Sequence, residues 1–419
     1  MKQTQTKYFD CSDVGLEMCF GAVNKNPGSF KKILCTGYNP LTASSFSIAG
    51  GKVTLNYASS HGYVASRVLH VEASGGYSKE VVIDSVTATS VTFTDADTAD
   101  LTGTINTKIA PLGWDLVYEV GNIHIYKMLH LDDTDRYVRM CFETNTEHRA
   151  AIAVCIGKSY DPVTGFINDP NALQSTKDVV SPSAANLPKW DAYFLGSTYA
   201  NYNYTQGLGR FGHGAFVGSK YHIGFQVADG YMGGGGANVA HHIFGIFPTH
   251  CLDYEVLDYP LLVAMNYNSA GWNTGNVYGN FSRTSNSRGH GSIGNIRVRL
   301  DFNSATEESI LHNNASYPFS PLSSYVSTVV DTFNTTTLQP FDIYEHTTSQ
   351  FLGSVYGIYR VLCNATQLPP ITALTSPSIN YSVDFNTPIL LCASCQNNAN
   401  TTAVRIIALP VEPIKYVSD

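Results

Sequence analysis

Apolar and polar residues alternate along residues 46–114, which predicts a run of short β-strands. The alternation covers residues 46–48, breaks at Gly50-Gly51 and resumes over residues 53–57. A period of two is the side-chain period of a strand, and a glycine pair between two such runs indicates a hairpin whose turn needs positive φ. The first part of the stretch is therefore predicted to be a β-hairpin.

A second pair of alternating runs follows directly. Residues 69–71 alternate before Gly75-Gly76, residues 81–83 alternate after it, and residues 91–93 repeat the pattern after a polar corner. Valine, isoleucine and threonine dominate here and favour strands, because their branched side chains are restricted in a helix. We therefore predict a compact β-module over residues 46–108 that contains neither a helix nor a catalytic residue.

The same alternation predicts longer strands further along the chain. Residues 137–142 alternate in character and include aromatic, charged and sulfur-containing side chains, which is typical of a strand with one buried face. The other predicted strands cover residues 115–119, 123–126, 151–156, 211–217, 221–227, 241–247, 259–265, 356–362, 389–392 and 404–409. The predicted fold class is all-β: a multi-domain β-sandwich or barrel-like architecture that carries the small β-module as an insertion.

Breaks in the pattern divide the chain. Pro162, Pro170, Pro182 and Pro188 are spaced among Asp, Asn and Ser, which predicts a linker or a long surface arm that contacts a neighbouring subunit. The predicted units are an N-terminal scaffold segment (1–45), the inserted module (46–108), scaffold strands (109–160), the Pro-rich linker or arm (161–190), a Gly/Tyr/Asn-rich β-domain (191–330) and a C-terminal β-domain (331–419).

The composition favours surfaces that pack against other molecules. The 419 residues are enough for two or three domains with cores of their own. Only 14% of the residues are charged, below the usual fraction of about a quarter, whereas Gly, Ser, Thr, Asn and Tyr are plentiful. Such a surface suits contacts with other subunits or with sugars, although many large β-proteins share this composition.

Charge and hydropathy argue against nucleic acid and membranes as partners. The formal net charge is −8, and the one locally basic stretch, residues 283–299, spreads its arginines among Ser, Asn and Gly. No segment reaches the roughly eighteen uninterrupted apolar residues of a membrane span. Residues 1–7 lack the apolar core of a secretory signal, so we expect synthesis and folding in a cytosol.

The nine cysteines are an odd number without paired spacing, and we expect them to be buried free thiols. Cys392 and Cys395 form the only Cys-x-x-Cys motif. A zinc ribbon needs a second such pair, and a redox motif needs a following helix, whereas the flanks of this motif are predicted strands. Structural thiols are therefore favoured over metal or redox chemistry.

The best candidate for chemistry is a histidine cluster in the middle of the chain. His241 and His242 are adjacent, so on a strand they point to opposite faces and cannot both enter one metal site. Ordinary hydrogen-bonded histidines are therefore favoured, and we predict no metal and no cofactor. The cluster comprises His213, His222, His241, His242 and His250, with Asp229 and Asp253 near enough in sequence to add carboxylate ligands.

Paired carboxylates are the second candidate, because glycoside cleavage uses two of them. The acidic clusters are Asp132, Asp133 and Asp135, and Glu307-Glu308. Both lie in polar turns, where solvated charge is the usual role, and the chain has neither a Gly-x-Ser-x-Gly elbow nor a phosphate loop. We therefore predict no catalytic residue and no enzymatic activity.

Short motifs follow one another in the module and beyond it. They are His61-Gly62-Tyr63, residues 81–87, residues 90–94, residues 109–114, Leu131-Asp132-Asp133 and residues 352–359. The first three resemble small β-domains that recur in structural proteins of tailed bacteriophages, where a His-Gly dipeptide opens a strand and a Val-Thr-rich segment leads to a Thr-x-Phe-Thr strand. In order and spacing, the whole set resembles a family of tail-associated virion proteins over roughly residues 30–145 and 340–410.

The resemblance implies a structural component of a tailed-phage virion, in the tail, tail tip or baseplate, made in the host bacterial cytoplasm. Its expected partners are other virion structural proteins and further copies of itself, as a trimer or hexamer. One alternative is a receptor- or carbohydrate-binding component of a tail fibre or spike, which contacts a host surface glycan through the Tyr-, Asn- and Gly-rich residues 190–300. A capsule depolymerase is the less favoured alternative.

Overall fold

The computed structural model describes residues 2–4, 6–145, 150–182, 187–192, 214–229, 240–266, 288–300, 337–362, 378–382, 387–394, 405–411 and 414–416. Almost all the regular structure in these residues is antiparallel β-strand, which confirms the predicted all-β class. The strands form a large curled sheet system and a small two-sheet unit.

The N-terminal segment joins the large sheet system and carries a short helix. β1 (Lys2–Thr4) pairs with the C-terminal strand β28 (Ile414–Tyr416), and β2 (Lys7–Asp10) enters the large sheet. Helix α1 (Asn26–Lys31) has a proline in its first turn and continues as a wider turn over Lys32–Thr36. Proline is tolerated there because the first turn offers no intrahelical acceptor for the missing N–H. Alternation alone does not predict this helix.

Residues 38–109 form a small β-sandwich. Its strands are β3 (Tyr38–Thr42), β4 (Ser45–Ala49), β5 (Lys52–Asn56), β6 (Val68–Ala73), β7 (Ser78–Val82), β8 (Ser85–Val86), β9 (Ser90–Thr94) and β10 (Ile105–Ile109). One sheet has the order β3-β10-β6-β7 and the other the order β4-β5-β9-β8. Their apolar faces share one core, in which Val53, Leu55, Leu69 and Phe93 are fully buried.

Both predicted hairpins of the module are confirmed. Gly50-Gly51 is the turn between β4 and β5, with φ values of +58° and +75°, and Gly75-Gly76 lies in the turn between β6 and β7. β3, which lies before residue 46, joins the strands of the module because it pairs with β10. His61-Gly62-Tyr63 lies between strands and opens none of them. The division of the whole chain into domains stays a prediction.

The remaining strands form the large sheet system, which we call the main sheet. They are β11 (Asp115–Val120), β12 (Ile123–Leu129), β13 (Asp135–Phe142), β14 (Ala150–Gly157), β15 (Pro188–Ala192), β16 (Gly214–Ser219), β17 (His222–Asp229), β18 (Ala240–Phe247), β19 (Thr249–Cys251), β20 (Leu261–Asn266), β21 (Arg288–Ile293), β22 (Ile296–Leu300), β23 (Thr337–Glu345), β24 (Phe351–Leu362), β25 (Ser378–Ser382), β26 (Thr387–Ser394) and β27 (Arg405–Pro410). Each strand predicted beyond residue 114 corresponds to one of these.

Pairing in the main sheet is antiparallel throughout the described strands. β11 to β15 pair in sequence as a meander, β15 pairs with β20, and β20 also pairs with β18 and β21. β2 pairs with β16, so the chain leaves the main sheet after β2 and returns to it with β11. This is the order that an insertion of the sandwich produces.

An aromatic core joins α1 to the main sheet. The Phe30 ring is fully buried, and its centroid lies 5.9 Å from those of Trp190 and Phe142 and 5.7 Å from that of Phe225. Burial of one large apolar side chain contributes about 1.5–3 kcal/mol, and tilted ring pairs add to it. Phe30 therefore holds the N-terminal segment against the main sheet.

β13 is buried on both faces, so the prediction of a half-buried strand at residues 137–142 is wrong. Val138 to Phe142 are all buried, including the charged Arg139. The Pro-rich segment covers the second face: Arg139 Nε and Nη2 donate to the carbonyl oxygens of Gly165 and Val179, at 2.7 Å each. This segment therefore lies along its own chain, and its contact with a neighbouring subunit stays a prediction.

Two buried cations connect the sandwich to the N-terminal segment. Arg67 donates to both carboxylate oxygens of Asp13, at 2.8 and 2.9 Å, and its guanidinium lies 4.1 Å from the ring centroid of Tyr8. The buried ammonium of Lys7 lies 2.6 Å from a carboxylate oxygen of Glu80 on β7. A buried charge costs several kcal/mol unless a partner compensates it, so the sandwich is held where both cations are paired.

Candidate interaction site

The histidine cluster does not assemble into one site. His222 begins β17, whereas His242 and His241 pair with Val227 and Ala228 near the far end of that strand. These partners are five and six residues from His222, which is roughly 17–20 Å at strand spacing. His250 lies exposed on β19, and His213 is outside the described residues. Among the described residues, no group of three or more His, Cys, Asp or Glu side chains is placed to hold a metal ion.

His222 instead closes a turn. Its Nδ1 lies 2.9 Å from the hydroxyl of Ser219, and both residues are buried at the turn between β16 and β17. Burial lowers the pKa of His222 to about 3, so the imidazole is neutral at physiological pH. A serine hydroxyl beside an imidazole can form a nucleophile and a base, but this pair has no solvent-facing side where a substrate could approach.

The predicted acidic cluster is also dispersed into turn contacts. Asp132 accepts hydrogen bonds from the backbone N–H and the hydroxyl of Thr134, at 2.9 and 2.6 Å. Asp133 accepts one from the Tyr221 hydroxyl at 2.6 Å, and Asp135 lies 3.8 Å from the ammonium of Lys127. Each carboxylate thus has a different partner.

The other predicted site residues add no assembled site. Asp253 is exposed, and only the backbone of Asp229 is described. Cys392 is fully buried in β26, where burial raises the pKa of its thiol. Glu307, Glu308 and Cys395 lie outside the described residues.

A group of exposed apolar side chains lies on the loop between β19 and β20, which we call the 252–258 loop. Leu252, Tyr254 and Val256 are 42%, 59% and 42% exposed, and they alternate with the exposed carboxylates Asp253 and Glu255. Large apolar side chains that gather in one exposed patch are typical of interaction surfaces, whereas single ones are common anywhere. This loop is therefore the candidate interaction site.

β24 extends the apolar surface of this loop. The Leu252 N–H donates to the carbonyl oxygen of Leu352 at 2.8 Å, which places the loop beside Phe351, itself 46% exposed. The Phe351 ring packs against the Tyr344 ring with a centroid distance of 5.7 Å. Phe351 therefore has a fixed position next to the loop.

Buried neighbours hold the 252–258 loop from below. Leu257 is buried, and the Tyr259 side chain that follows it is fully buried. The Tyr259 hydroxyl donates to Asp169 at 2.7 Å, and the Thr249 hydroxyl donates to the Tyr259 carbonyl oxygen at 2.8 Å. The loop can therefore expose its apolar residues without being loosely attached.

Asp258 ties the end of the loop to three basic side chains of the β12–β14 region. Its Oδ1 lies 2.8 Å from Arg136 Nη2 and 3.3 Å from His130 Nε2, and its Oδ2 lies 2.8 Å from Lys158 Nζ. Arg136 also donates to the Asp258 carbonyl oxygen at 3.0 Å and is itself buried. We call these four residues the Asp258 cluster.

The charge state of Asp258 follows from these contacts. Burial alone would raise the pKa of its carboxyl group, but the hydrogen bonds from His130 and Lys158 and the charge of Arg136 outweigh burial and hold the pKa well below its usual range. Asp258 is therefore a carboxylate at any physiological pH. The cluster acts as a permanent electrostatic anchor rather than as an acid or a base.

The arrangement gives a binding surface that needs little reorganisation. A side chain that is already held in its bound position loses less conformational entropy on binding, and aromatic residues in such positions dominate interface energies. Phe351, whose ring packs against Tyr344, meets this description. The site could not be predicted from the sequence, because Leu-Asp-Tyr-Glu-Val (residues 252–256) shows the same alternation as a half-buried strand.

A concave surface lies on the sandwich sheet that contains β3, β10 and β6. It is a groove of about 400 Å³ lined by Pro40, Leu41, Thr42, His70, Glu72, Asn106, Thr107 and Lys108. Thr42 donates to the Asn106 side-chain oxygen at 2.8 Å, and Lys108 donates to the Thr36 carbonyl oxygen at 2.9 Å. The groove is open to solvent, and its lining mixes polar side chains with apolar surface.

No protein-family model, no curated protein and no solved structure matches this chain. The resemblance to phage virion proteins therefore rests on the sequence motifs alone. Among the described residues, no helix is both long and apolar enough to cross a membrane.

Proposed function

We propose that this protein is a structural component of a tailed-bacteriophage virion, in the tail, tail tip or baseplate, and that it acts through contacts between subunits. The observation that carries the subunit contacts is the 252–258 loop, whose exposed apolar residues sit on a fixed base. Assembly interfaces rely on apolar and aromatic surface more than on charge, and they use residues held in place before binding.

The phage assignment has separate support. It comes from the motifs at residues 61–63, 81–94, 109–114 and 352–359, and from a low charged fraction of 14%. The all-β fold and the firmly attached sandwich suit a protein that must keep its shape within a particle. Detection of the protein in purified particles by mass spectrometry and cryo-EM tests this assignment. Absence of the protein from every particle would refute the assignment.

The loop contact is tested with a pair of matched valine substitutions. Val256→Asp places a charge on the 252–258 loop, and we expect it to reduce incorporation into particles about tenfold or more, because a desolvated unpaired charge at an interface costs more than about 1.4 kcal/mol. Val120→Asp is the control, since Val120 is also exposed but lies at the end of β11. Both variants should keep wild-type circular dichroism and melting temperature. Equal incorporation of the two would refute the role of the loop.

The groove on the sandwich supports the second candidate, a receptor- or carbohydrate-binding component. His70, Glu72, Asn106 and Lys108 place an imidazole, a carboxylate, an amide and an ammonium along neighbouring strands, and such groups hydrogen-bond sugar hydroxyls. Binding of the purified protein to host cells, lost in Glu72→Gln but kept in the control Glu17→Gln, whose exposed side chain lies outside the groove, would favour this function. Release of sugar from capsule by the purified protein would instead favour the depolymerase.

A further inference from the structure

β4 is an outer strand of the sandwich whose free edge lacks protection. It reads Ser45-Phe46-Ser47-Ile48-Ala49, pairs with β5 alone among the described strands, and contains no charged residue, no proline and no bulge. Sheet edges are normally protected by one of these features or by a very short strand, because an open edge pairs with another chain.

The other three edge strands of the sandwich carry such protection. β3 contains Pro40, β7 contains Lys79 and Glu80, and β8 is only two residues long. β11 has a carboxylate near each end and an irregular register with β12. Among the four edge strands of the sandwich, β4 is therefore the one without such a feature. In the main sheet, β25 also pairs with a single described strand and contains neither charge nor proline.

The apolar side chains of the sandwich are incompletely buried at β4. Phe46 and Ile48 pair with Leu55 and Val53, so all four side chains point to the core side of the sheet. Leu55 and Val53 are fully buried, whereas Phe46 is half-buried and Ile48 is 44% exposed. One further strand beside β4 would cover this apolar side.

The hydrogen-bonding groups of the free edge follow from the hairpin register. Ala49 and Lys52 close a two-residue turn, so this pair exchanges hydrogen bonds, and by alternation the N–H and C=O groups of Phe46 and Ile48 point away from β5. Among the described residues, no other group is recorded as bonding to this side of β4. Two residues thus present two donors and two acceptors.

We propose that β4 pairs antiparallel with β4 of a second copy of this chain, across a two-fold axis that joins the two sheets into one. The inference rests on the proposed function, because it names the partner of one assembly contact. An axis at Ser47 places Phe46 opposite the partner subunit's Ile48, with both residues on the apolar side. These pairs use all the outward N–H and C=O groups of Phe46 and Ile48, and Ser47 faces the partner subunit's Ser47.

Charge and symmetry favour a second copy over another partner. An uncharged strand has no like charges to oppose when it meets itself, whereas like charges directly opposite destabilise a pair of strands. A two-fold contact on one patch is self-complementary and closes a dimer. A hexamer with dihedral symmetry contains two-fold axes and is compatible with this contact. A cyclic trimer has no two-fold axis, so a trimer cannot be the complete assembly.

The first test uses lysine substitutions on the two edges of one sheet. Ser47→Lys places two ammonium groups opposite each other in the proposed dimer, so we expect the dimer dissociation constant to rise about tenfold or more. Ser85→Lys is the matched control, because Ser85 is an exposed serine on β8 at the other edge of the sheet. Sedimentation of the full chain over a concentration series measures both, with wild type alongside.

The second test traps the pair. Serine residues that face each other as a non-hydrogen-bonded pair have Cα atoms about 4.5 Å apart, within the range that a disulfide spans. Ser47→Cys should therefore form a disulfide-linked dimer under mild oxidation, whereas Ser85→Cys and wild type with its native thiols should not.

The outcomes separate this inference from the proposed function. A wild-type protein that stays monomeric, an unchanged dissociation constant in Ser47→Lys, or no crosslink in Ser47→Cys overturns the pairing of β4. Any of these results leaves the virion assignment intact if the protein is found in particles. A dimer that forms as described in a protein absent from particles would refute the proposed function alone.

Discussion

At the scale of the residue, Asp258 decides the geometry of the candidate interaction site. Three basic side chains converge on one carboxylate at the end of the 252–258 loop. Arg136 lies on β13, His130 directly follows β12, and Lys158 directly follows β14. The carboxylate is partly exposed, so water weakens each pair, and the strength of the cluster lies in Arg136, which is buried and depends on Asp258 for its charge partner. Asp258 is thus structural although it lies beside exposed side chains.

Asp258→Asn should loosen the loop without unfolding the protein. The amide leaves Arg136 without its anionic partner, and we expect a loss of about 1–2 kcal/mol in unfolding free energy at neutral pH. Because the folded-state pKa is depressed, this contribution is complete above the unfolded pKa of about 3.9 and disappears as pH falls through the folded pKa. Denaturant titrations measure the unfolding free energies of the wild type and of Asp258→Asn. The difference between them should be the same at pH 7 and pH 5 and should disappear only in strong acid.

At the scale of the element, the Pro-rich segment shows how a loop becomes part of the core. Ile167, Ala172 and Leu173 are buried, and the Thr176 hydroxyl donates to the Val154 carbonyl oxygen at 2.8 Å. Arg139 holds the segment on β13 although no carboxylate lies within ion-pair distance among the described residues. Burial correspondingly lowers the pKa of Arg139. Deleting the segment would expose the main sheet, so a neighbour contact must be tested by surface substitution.

Arg139→Met should release the Pro-rich segment at little cost in global stability. Each hydrogen bond from a charged donor contributes about 1.5–3 kcal/mol, but the buried charge itself costs several kcal/mol, and the two effects oppose each other. We expect the unfolding free energy to change by less than about 2 kcal/mol. Hydrogen exchange within residues 160–182 should accelerate, while exchange in β17 and β18 stays unchanged. Unaltered exchange in the segment would show that its apolar contacts suffice.

At the scale of the whole molecule, the sandwich and the main sheet are joined by polar contacts that are buried. Asp13 accepts from Arg67 and from the Tyr38 hydroxyl, the latter at 2.7 Å. After the sandwich, Trp114 is buried, and its indole N–H donates to the Ser219 carbonyl oxygen at 2.9 Å. Contacts of the residues before and after the sandwich therefore restrict its orientation.

Arg67→Met should be the most damaging single change at this junction. It leaves Asp13 as a buried carboxylate without a cation, and the loss of one partner of a buried pair costs about 3–5 kcal/mol. The double variant Arg67→Met with Asp13→Asn should recover part of this loss, because the orphaned charge is gone. Thermal unfolding of the two single variants and the double variant measures the coupling energy between Arg67 and Asp13. Additive effects of the two substitutions would contradict a direct ion pair.

Alternation in the sequence predicted the strands well, and the reason is local. Hairpins at Gly50-Gly51 and Gly75-Gly76 follow from residues close in the chain, and so do the strands from 115 to 157. The helix with Phe30 and the second buried face of β13 depend on partners far away in the chain. Period-two alternation shows that one face of a strand is apolar, but it cannot show what covers the other.

The sequence by itself determined that this chain is an all-β protein and where its strands and tight turns lie, since these depend on side-chain period and on backbone freedom at glycine. Only the tertiary structure decided which polar residues meet. Asp258 with Arg136 and Lys158, and Asp13 with Arg67, are brought together by sheet order across tens to more than a hundred residues. The same sheet order left β4 at an edge, which a list of strands cannot reveal.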